Sequence, residues 1–190
     1  MLMQFTDIST DDSRTLLSTA KQSIEYGLQH KAAMPVNLND YSELLQSQAA
    51  CFVTLNLNQQ LRGCIGTLEA YRALITDVSE HAFDAAFRDP RFSPLTAQEL
   101  PLLEIHISIL TPSEVMNISS EQDLIDQLQP GIDGLIIDDG IHRATFLPSV
   151  WEQLPEAKDF LNHLKRKAGM DANHWSDSIK ASRYTTISIK

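Results

Sequence analysis

Two cysteines, seven glycines and fifteen basic residues in a chain of 190 exclude several kinds of protein at the outset. A small disulfide scaffold needs more cysteine. Cys51 and Cys64 fall on two adjacent predicted strands, out of register by three or four positions and so roughly 10–13 Å apart. A disulfide needs Cα atoms within about 7 Å. Both thiols are expected to be free, which suits a reducing compartment. No three-cysteine set for an iron–sulfur cluster is present, and neither a glycine-rich phosphate loop, a dinucleotide fingerprint nor a His-Glu-x-x-His pair. His30, His81, His106, His142, His163 and His174 show no metal-like spacing, so no metal and no cofactor are expected. With 15 Lys and Arg against 25 Asp and Glu, the net charge is −10. That balance weighs against nucleic acid and against an anionic membrane surface, since both require a basic footprint. Met1 to Asp7 lacks the basic and apolar regions of a signal peptide. No apolar run is long enough to cross a bilayer. A soluble, cytoplasmic protein is expected.

What the chain does have is a hydrophobic fraction of 43% and a charged fraction of 21%, ordinary for a globular protein with a real core. Its length fits one domain or two intimate lobes.

The most informative stretch is Arg62-Gly63-Cys64-Ile65-Gly66. Cys51 to Leu57 alternates and is rich in β-branched and aromatic residues, the pattern of a strand. Asn58-Gln59-Gln60 is short enough for a hairpin link, and Leu61 to Gly66 is the returning strand, placing Cys64 opposite Thr54 or Leu55. Glycines inside a strand mark a bulge or a close approach of backbone. Without a bulge, Arg62, Cys64 and Gly66 share one face, with Arg62 roughly 7 Å from Cys64. A cation there favours the thiolate, the reactive form. Cys64 is therefore a candidate nucleophile in a small notch; the alternative is a buried, inert packing residue.

Around this hairpin the pattern predicts a helix over about 11–29, opened by Thr10-Asp11-Asp12. A second covers 71–88, with Leu74, Ile75, Val78, Ala82, Phe83 and Ala86 on its apolar face. A tight bend over Thr67 to Tyr71 would bring that helix's N-terminal N–H groups to an anion near Cys64; an ordinary crossover is the alternative. Pro90 stops the helix. Asp89 and Arg91 are expected to pair and fix the loop while Phe92 fills the core. The sharper alternative sends Arg91 to a substrate carboxylate or phosphate. Thr96 to Glu99 reads as a capping box. Leu103 to Leu110 is a strand with Ile105, Ile107 and Ile109 inward. Glu104, His106 and Ser108 form either an acid–base row or, more commonly, the wet face of an antiparallel sheet.

In the last third, Ser119 or Ser120 caps a helix to about Leu128. Asp139-Gly140 suits a two-residue type I′ turn pairing Ile137 with His142 and Ile136 with Arg143. His142, among apolar neighbours, is a hydrogen-bonded boundary residue or a ligand group. A helix over 155–168 ends at Gly169, with Lys165-Arg166-Lys167 as a solvated basic end. Trp175 is expected as a core anchor, and residues 183–189 as one terminal strand. Hairpins mixed with helices argue α+β rather than a doubly wound parallel sheet, with an order that hints at two similar halves.

The run Leu61-Arg62-Gly63-Cys64-Ile65-Gly66-Thr67 resembles the signature of the AMMECR family. In order there follow Asp89-Pro90-Arg91-Phe92-Ser93-Pro94-Leu95, Glu99-Leu100, Ile107-Ser108-Ile109-Leu110-Thr111-Pro112, Gly134-Leu135-Ile136 and Phe146-Leu147-Pro148, so the resemblance spans about residues 10 to 185. It implies a compact α+β fold of mostly antiparallel sheet, hairpins and packed helices, read as a single domain over 1–190. It brings no assigned catalytic activity. The family's bacterial and archaeal members are called AmmeMemoRadiSam system protein A, a name that records an association with a Memo-type, dioxygenase-like protein and a radical S-adenosylmethionine protein. Neither of those chemistries is carried by this chain. Two functions follow as expectations. In one, a small molecule binds or reacts at Cys64, with Arg62 as activator or anion clamp and His106 or His142 as base; Gly63, Gly66 and Arg91 complete the candidate ligand site. In the other, the protein is a non-catalytic partner of the Memo-like and radical S-adenosylmethionine proteins, and the motif is a structural corner or docking surface.

Overall fold

A computed structural model describes residues 8–190, in two compact units: residues up to Leu110 with Ile187–Lys190, and Thr111–Thr186. The first unit opens with helix α1, Thr10–His30. Ser9 Oγ accepts from Asp12 N–H at 3.0 Å, so the cap lies one residue before the acidic turn that the sequence singles out. A four-residue helix α2, Glu43–Gln46, seats Leu45 in the core. Strand β1, Cys51–Leu57, turns through Asn58 and Gln59 into β2, Gln60–Gly66. Both turn residues have positive φ, 52° and 65°, the geometry of a type I′ hairpin whose twist suits the flanking strands. Gln60 is thus the first strand residue, paired with Leu57.

Helix α3, Leu74–Phe87, begins three residues later than its periodicity predicts. Leu74 N–H is taken by Ser47 carbonyl oxygen, and Ala73 bridges to Gln48, so the backbone before Leu74 is committed to a neighbouring segment. Strand β3, Leu103–Leu110, has the predicted limits. With β8, Thr186–Ile189, it completes a sheet ordered β2-β1-β3-β8. Alternation sends Val53, Leu55, Ile107 and Ile109 inward, where they pack with Leu16, Ala20 and Ile24 of α1 and Val78 and Ala82 of α3. Each fully buried aliphatic of this kind contributes about 1.5–3 kcal/mol relative to exposure. Phe92 is not among these residues; the loop residue that enters the core is Leu95.

The second unit carries β4 (Glu114–Val115), α4 (Glu121–Gln127), β5 (Gly134–Asp138), β6 (Arg143–Phe146), α5 (Ala157–Ala168) and β7 (Lys180–Tyr184). Its sheet is ordered β4-β7-β5-β6 with antiparallel pairs. The predicted terminal strand is therefore two strands, broken at Thr185 and shared between different sheets. The β5–β6 hairpin also differs from expectation. Ile137 pairs with Ala144 and Asp138 with Arg143, so the loop is four residues, 139–142. Carboxylates stabilise the longer loop: Asp139 Oδ1 accepts from the N–H groups of Ile141 and His142, and Asp138 Oδ1 from that of Gly140. Trp151 is buried and stacks on Phe160 at 3.8 Å, and Trp175 is partly buried at the margin of the same cluster.

The basic end of α5 is not simply solvated. Lys165 is buried, donates to Glu121 Oε1 at 2.5 Å and to Ala172 carbonyl oxygen, and lies over the Trp175 ring. Lys167 donates to Thr145 carbonyl oxygen at 2.9 Å. Among the described residues no helix is long and apolar enough to cross a membrane.

Candidate functional site

Cys64 pairs with Thr54, and Thr54 on its other side pairs with His106. The three therefore form one row across β2, β1 and β3, on the sheet face opposite α1 and α3. Cys64 Sγ and Thr54 Oγ1 are 3.2 Å apart. His106 is two strand spacings from Cys64, about 10 Å. The side chains of this row are partly buried. Glu104 and Ser108 lie on the same face as His106, as their alternation predicts.

Arg62 is committed to a carboxylate. The β1–β2 register shifts between Leu55 and Asn56, leaving Arg62 as the extra residue of a bulge, and a bulge re-aims the side chain it carries. Arg62 instead meets Glu99, with Nε 2.7 Å from Oε1 and Nη2 3.3 Å from Oε2. Its Nη1 is buried without a hydrogen-bond partner. Glu99 Oε2 also accepts from the Thr96 N–H and hydroxyl, which is one half of the predicted capping box. Arg62 first, then the Thr96 N–H, holds the Glu99 carboxyl down to about 2.

The cation at Cys64 is Arg91. Its Nη2 donates to the Cys64 carbonyl oxygen at 3.3 Å, and the Cys64 N–H donates to Asp89 Oδ2 at 2.9 Å. Asp89 and Arg91 are joined by two further bonds, Nε to Oδ1 at 2.9 Å and Nη2 to Oδ2 at 2.7 Å, so the expected pair is formed. Arg91 is the main cause of the Asp89 carboxyl's descent to about 2, against the opposing effect of burial. Phe92 lies under both guanidinium groups, with its ring centroid 5.9 Å from Arg62 Cζ and 5.4 Å from Arg91 Cζ.

Both glycines of the motif answer to packing. A Cβ on Gly63 would overlap the carbonyl oxygen of Ala85 in α3, and one on Gly66 would overlap Phe52 and the Cys51 carbonyl oxygen. It is thus the C-terminal part of α3 that lies against β2 beside Cys64.

The N-terminal turn of α3 is occupied by a different cluster. Buried Asp77 accepts from the N–H and Sγ of Cys51 at 3.1 and 3.2 Å and from Arg72 Nε at 2.7 Å. His81 Nε2 lies 3.1 Å from Asp77 Oδ1, outside hydrogen-bond geometry, and both ring nitrogens are buried without a hydrogen-bond partner. Burial pushes the Asp77 carboxyl up, but the His81 ring, Arg72 and Cys51 together hold it below its ordinary range. Burial and then the Asp77 charge drive the Cys51 thiol well above its ordinary value, which disfavours the thiolate. An aspartate and a histidine four apart on an otherwise apolar helical face are the sequence signal that would have found this cluster.

His142 belongs to the second unit and sits in the 139–142 turn, not on a strand face. Its Nδ1 is 3.0 Å from Asp139 Oδ2, and His174 Nε2 is 3.9 Å from the same oxygen. Hydrogen bonds from the backbone of His142 and Ile141 hold the Asp139 carboxyl at about 2. Among the described residues no group of three histidine, cysteine or carboxylate side chains is arranged to hold a metal ion.

A pair of antiparallel sheets with helices packed on them, and a cysteine–glycine hairpin fixed by an Asp-Pro-Arg loop, defines a class of α+β protein. The AMMECR1 family model matches residues 17–189, running through both units, and the chain belongs to the AMMECR1 family. It is 34% identical to protein MJ0810 of Methanocaldococcus jannaschii over 157 residues, covering 80% of this chain and 78% of that protein. A protein of Methanothermobacter thermautotrophicus is 34% identical over 176 residues, covering 92% and 91%. The crystal structure of the uncharacterised protein PH0010 from Pyrococcus horikoshii superposes with a TM-score of 0.88 at 28% identity, covering 95% of this chain and 92% of that one.

Proposed function

We propose that the polar face of the first sheet binds or processes a small molecule in the cytoplasm, with the Cys64 thiol as anchor or nucleophile. The observation that carries this reading is the row Cys64–Thr54–His106, set in register across three strands with the thiol against the Thr54 hydroxyl. A thiol, a hydroxyl and an imidazole on one rigid sheet face are groups that can hold a reacting molecule and move its protons. His106 and Cys64 stand two strand spacings apart along the row, about 10 Å between backbones. His106 would act on a molecule lying over Thr54. The charge of Arg91 favours the thiolate, and the Asp89 carboxylate on the Cys64 N–H works against it. Arg62, Gly63 and Gly66 have other partners and support the hairpin rather than the molecule.

The second reading, a non-catalytic partner of Memo-like and radical S-adenosylmethionine proteins, draws support from the same hairpin. Both glycines are accounted for by packing, and both arginines are already matched by carboxylates. The alkylation rate of Cys64 against pH, read by intact mass, separates the two. Reaction of Cys64 in the folded protein, at a rate that rises with pH as the thiol ionises, is the expected result. Labelling of Cys64 only after unfolding would remove the thiol from the mechanism and leave the partner reading.

A further inference from the structure

β2 is an edge strand of its sheet. In an antiparallel ladder, every second residue of an edge strand turns its N–H and C=O away from the partner. Cys64 is such a residue, and Asp89 and Arg91 take both groups. The carboxylate stands where an incoming strand would place a carbonyl, and the guanidinium where it would place an N–H. The pair is itself fixed, because Asp89 Oδ1 also accepts from the backbone N–H of Arg91 at 3.1 Å. A few residues away the Arg62 bulge interrupts the same edge. Bulges and charges are the recognised means of blunting an edge. What remains of Gln60–Gly66 is prone to pairing: Leu61 is 43% exposed, and the single charge, Arg62, is matched by Glu99.

We propose that the Asp89–Arg91 ion pair is an edge guard, which keeps β2 from adding to β2 of a second copy of this chain. A second copy is the occupant because an antiparallel edge is self-complementary across a twofold axis. The edge also has no net charge with which to repel its equal. This inference does not depend on the chemistry of the thiol.

Sedimentation velocity across a wide concentration range tests it, on wild type, the double variant Asp89→Ala/Arg91→Ala, which clears the edge without leaving a charge on it, and that variant with Leu61→Lys. Circular dichroism establishes that each is folded. Wild type is expected to keep one sedimentation coefficient. Asp89→Ala/Arg91→Ala is expected to rise with concentration towards about twice the wild-type mass. Leu61→Lys in that background is expected to restore wild-type behaviour, since a lysine on the edge opposes pairing. Asp89→Ser/Arg91→Ala, equally neutral, carries the test if the first double variant does not fold. A folded neutral variant that sediments as wild type at every concentration would overturn the proposal. So would association that survives Leu61→Lys.

Discussion

Gly63 of β2 lies directly under the carbonyl oxygen of Ala85 in α3, with no room between them for a methyl group. The hairpin that carries Cys64 is therefore set against the helix by contact of backbone with backbone. Gly63→Ala must displace either the strand or the helix. A loss of about 1–3 kcal/mol is expected, the usual cost of overpacking, read as a lower urea midpoint with an unchanged slope. A midpoint within error of wild type would mean that the strand moves freely.

Asp77→Ala should be the more damaging change. It leaves Arg72, the Cys51 backbone N–H and His81 without the carboxylate they surround. Breaking a buried pair by removing one partner costs about 3–5 kcal/mol. Denaturant unfolding measures it, and a loss below about 1 kcal/mol, within the range of a surface pair, would contradict the burial of this cluster.

Acid stability should depend on Asp89 and Glu99. Their folded values of about 2 lie below the ordinary 3.8 and 4.5. Groups held down in the folded state contribute stability that is fully present above their unfolded values and is lost as pH falls towards their folded ones. The urea midpoint of wild type should therefore hold near pH 5 and fall between about pH 4.5 and 2. Asp89→Asn should start lower and fall less steeply, because the carboxylate is already gone. Parallel curves for the two proteins would count against this account.

The two thiols should separate cleanly. Cys51 is fully buried on Asp77, and a group that burial and a neighbouring anion both hold as thiol is a poor nucleophile. Peptide mapping after brief alkylation of the native protein should find the label on Cys64 and none on Cys51, with Cys51 labelled only after unfolding. Native labelling of Cys51 would mean that this region opens readily.

Alternation and turn chemistry made the inward faces of β1 and β3 legible, along with a short hairpin link after Leu57, one residue shorter than read, and the stop at Gly169, because each depends on a few neighbouring residues. The errors came where a side chain bonds to something distant. Gly63 and Gly66 left a bulge open as one reading, but no neighbouring residue places it at Arg62; its partners are the Ala85 carbonyl on Gly63 and the Glu99 carboxylate on Arg62. Asp-Gly promised a two-residue turn, yet Asp139 holds two N–H groups and lengthens the loop. The helical pattern over Tyr71 to Ala73 yielded to hydrogen bonding with Ser47 and Gln48. In the site, Thr54 next to Cys64 was legible as one of two choices and the Asp89–Arg91 match was legible too, but not the bond from Arg91 to the Cys64 carbonyl or that from Arg62 to Glu99.

The break at Thr185 has a consequence for synthesis. β3 is complete by Leu110, but the strand that covers its outer side, β8, is drawn from residues 186–189. On the ribosome the first sheet must wait with that side bare while the whole second unit is made and passes it in sequence. Folding of the early half is thereby tied to the last residues of this stretch, a long-range closure of the kind that slows folding. A chain shortened by a handful of residues would lose a strand from the unit that was translated first.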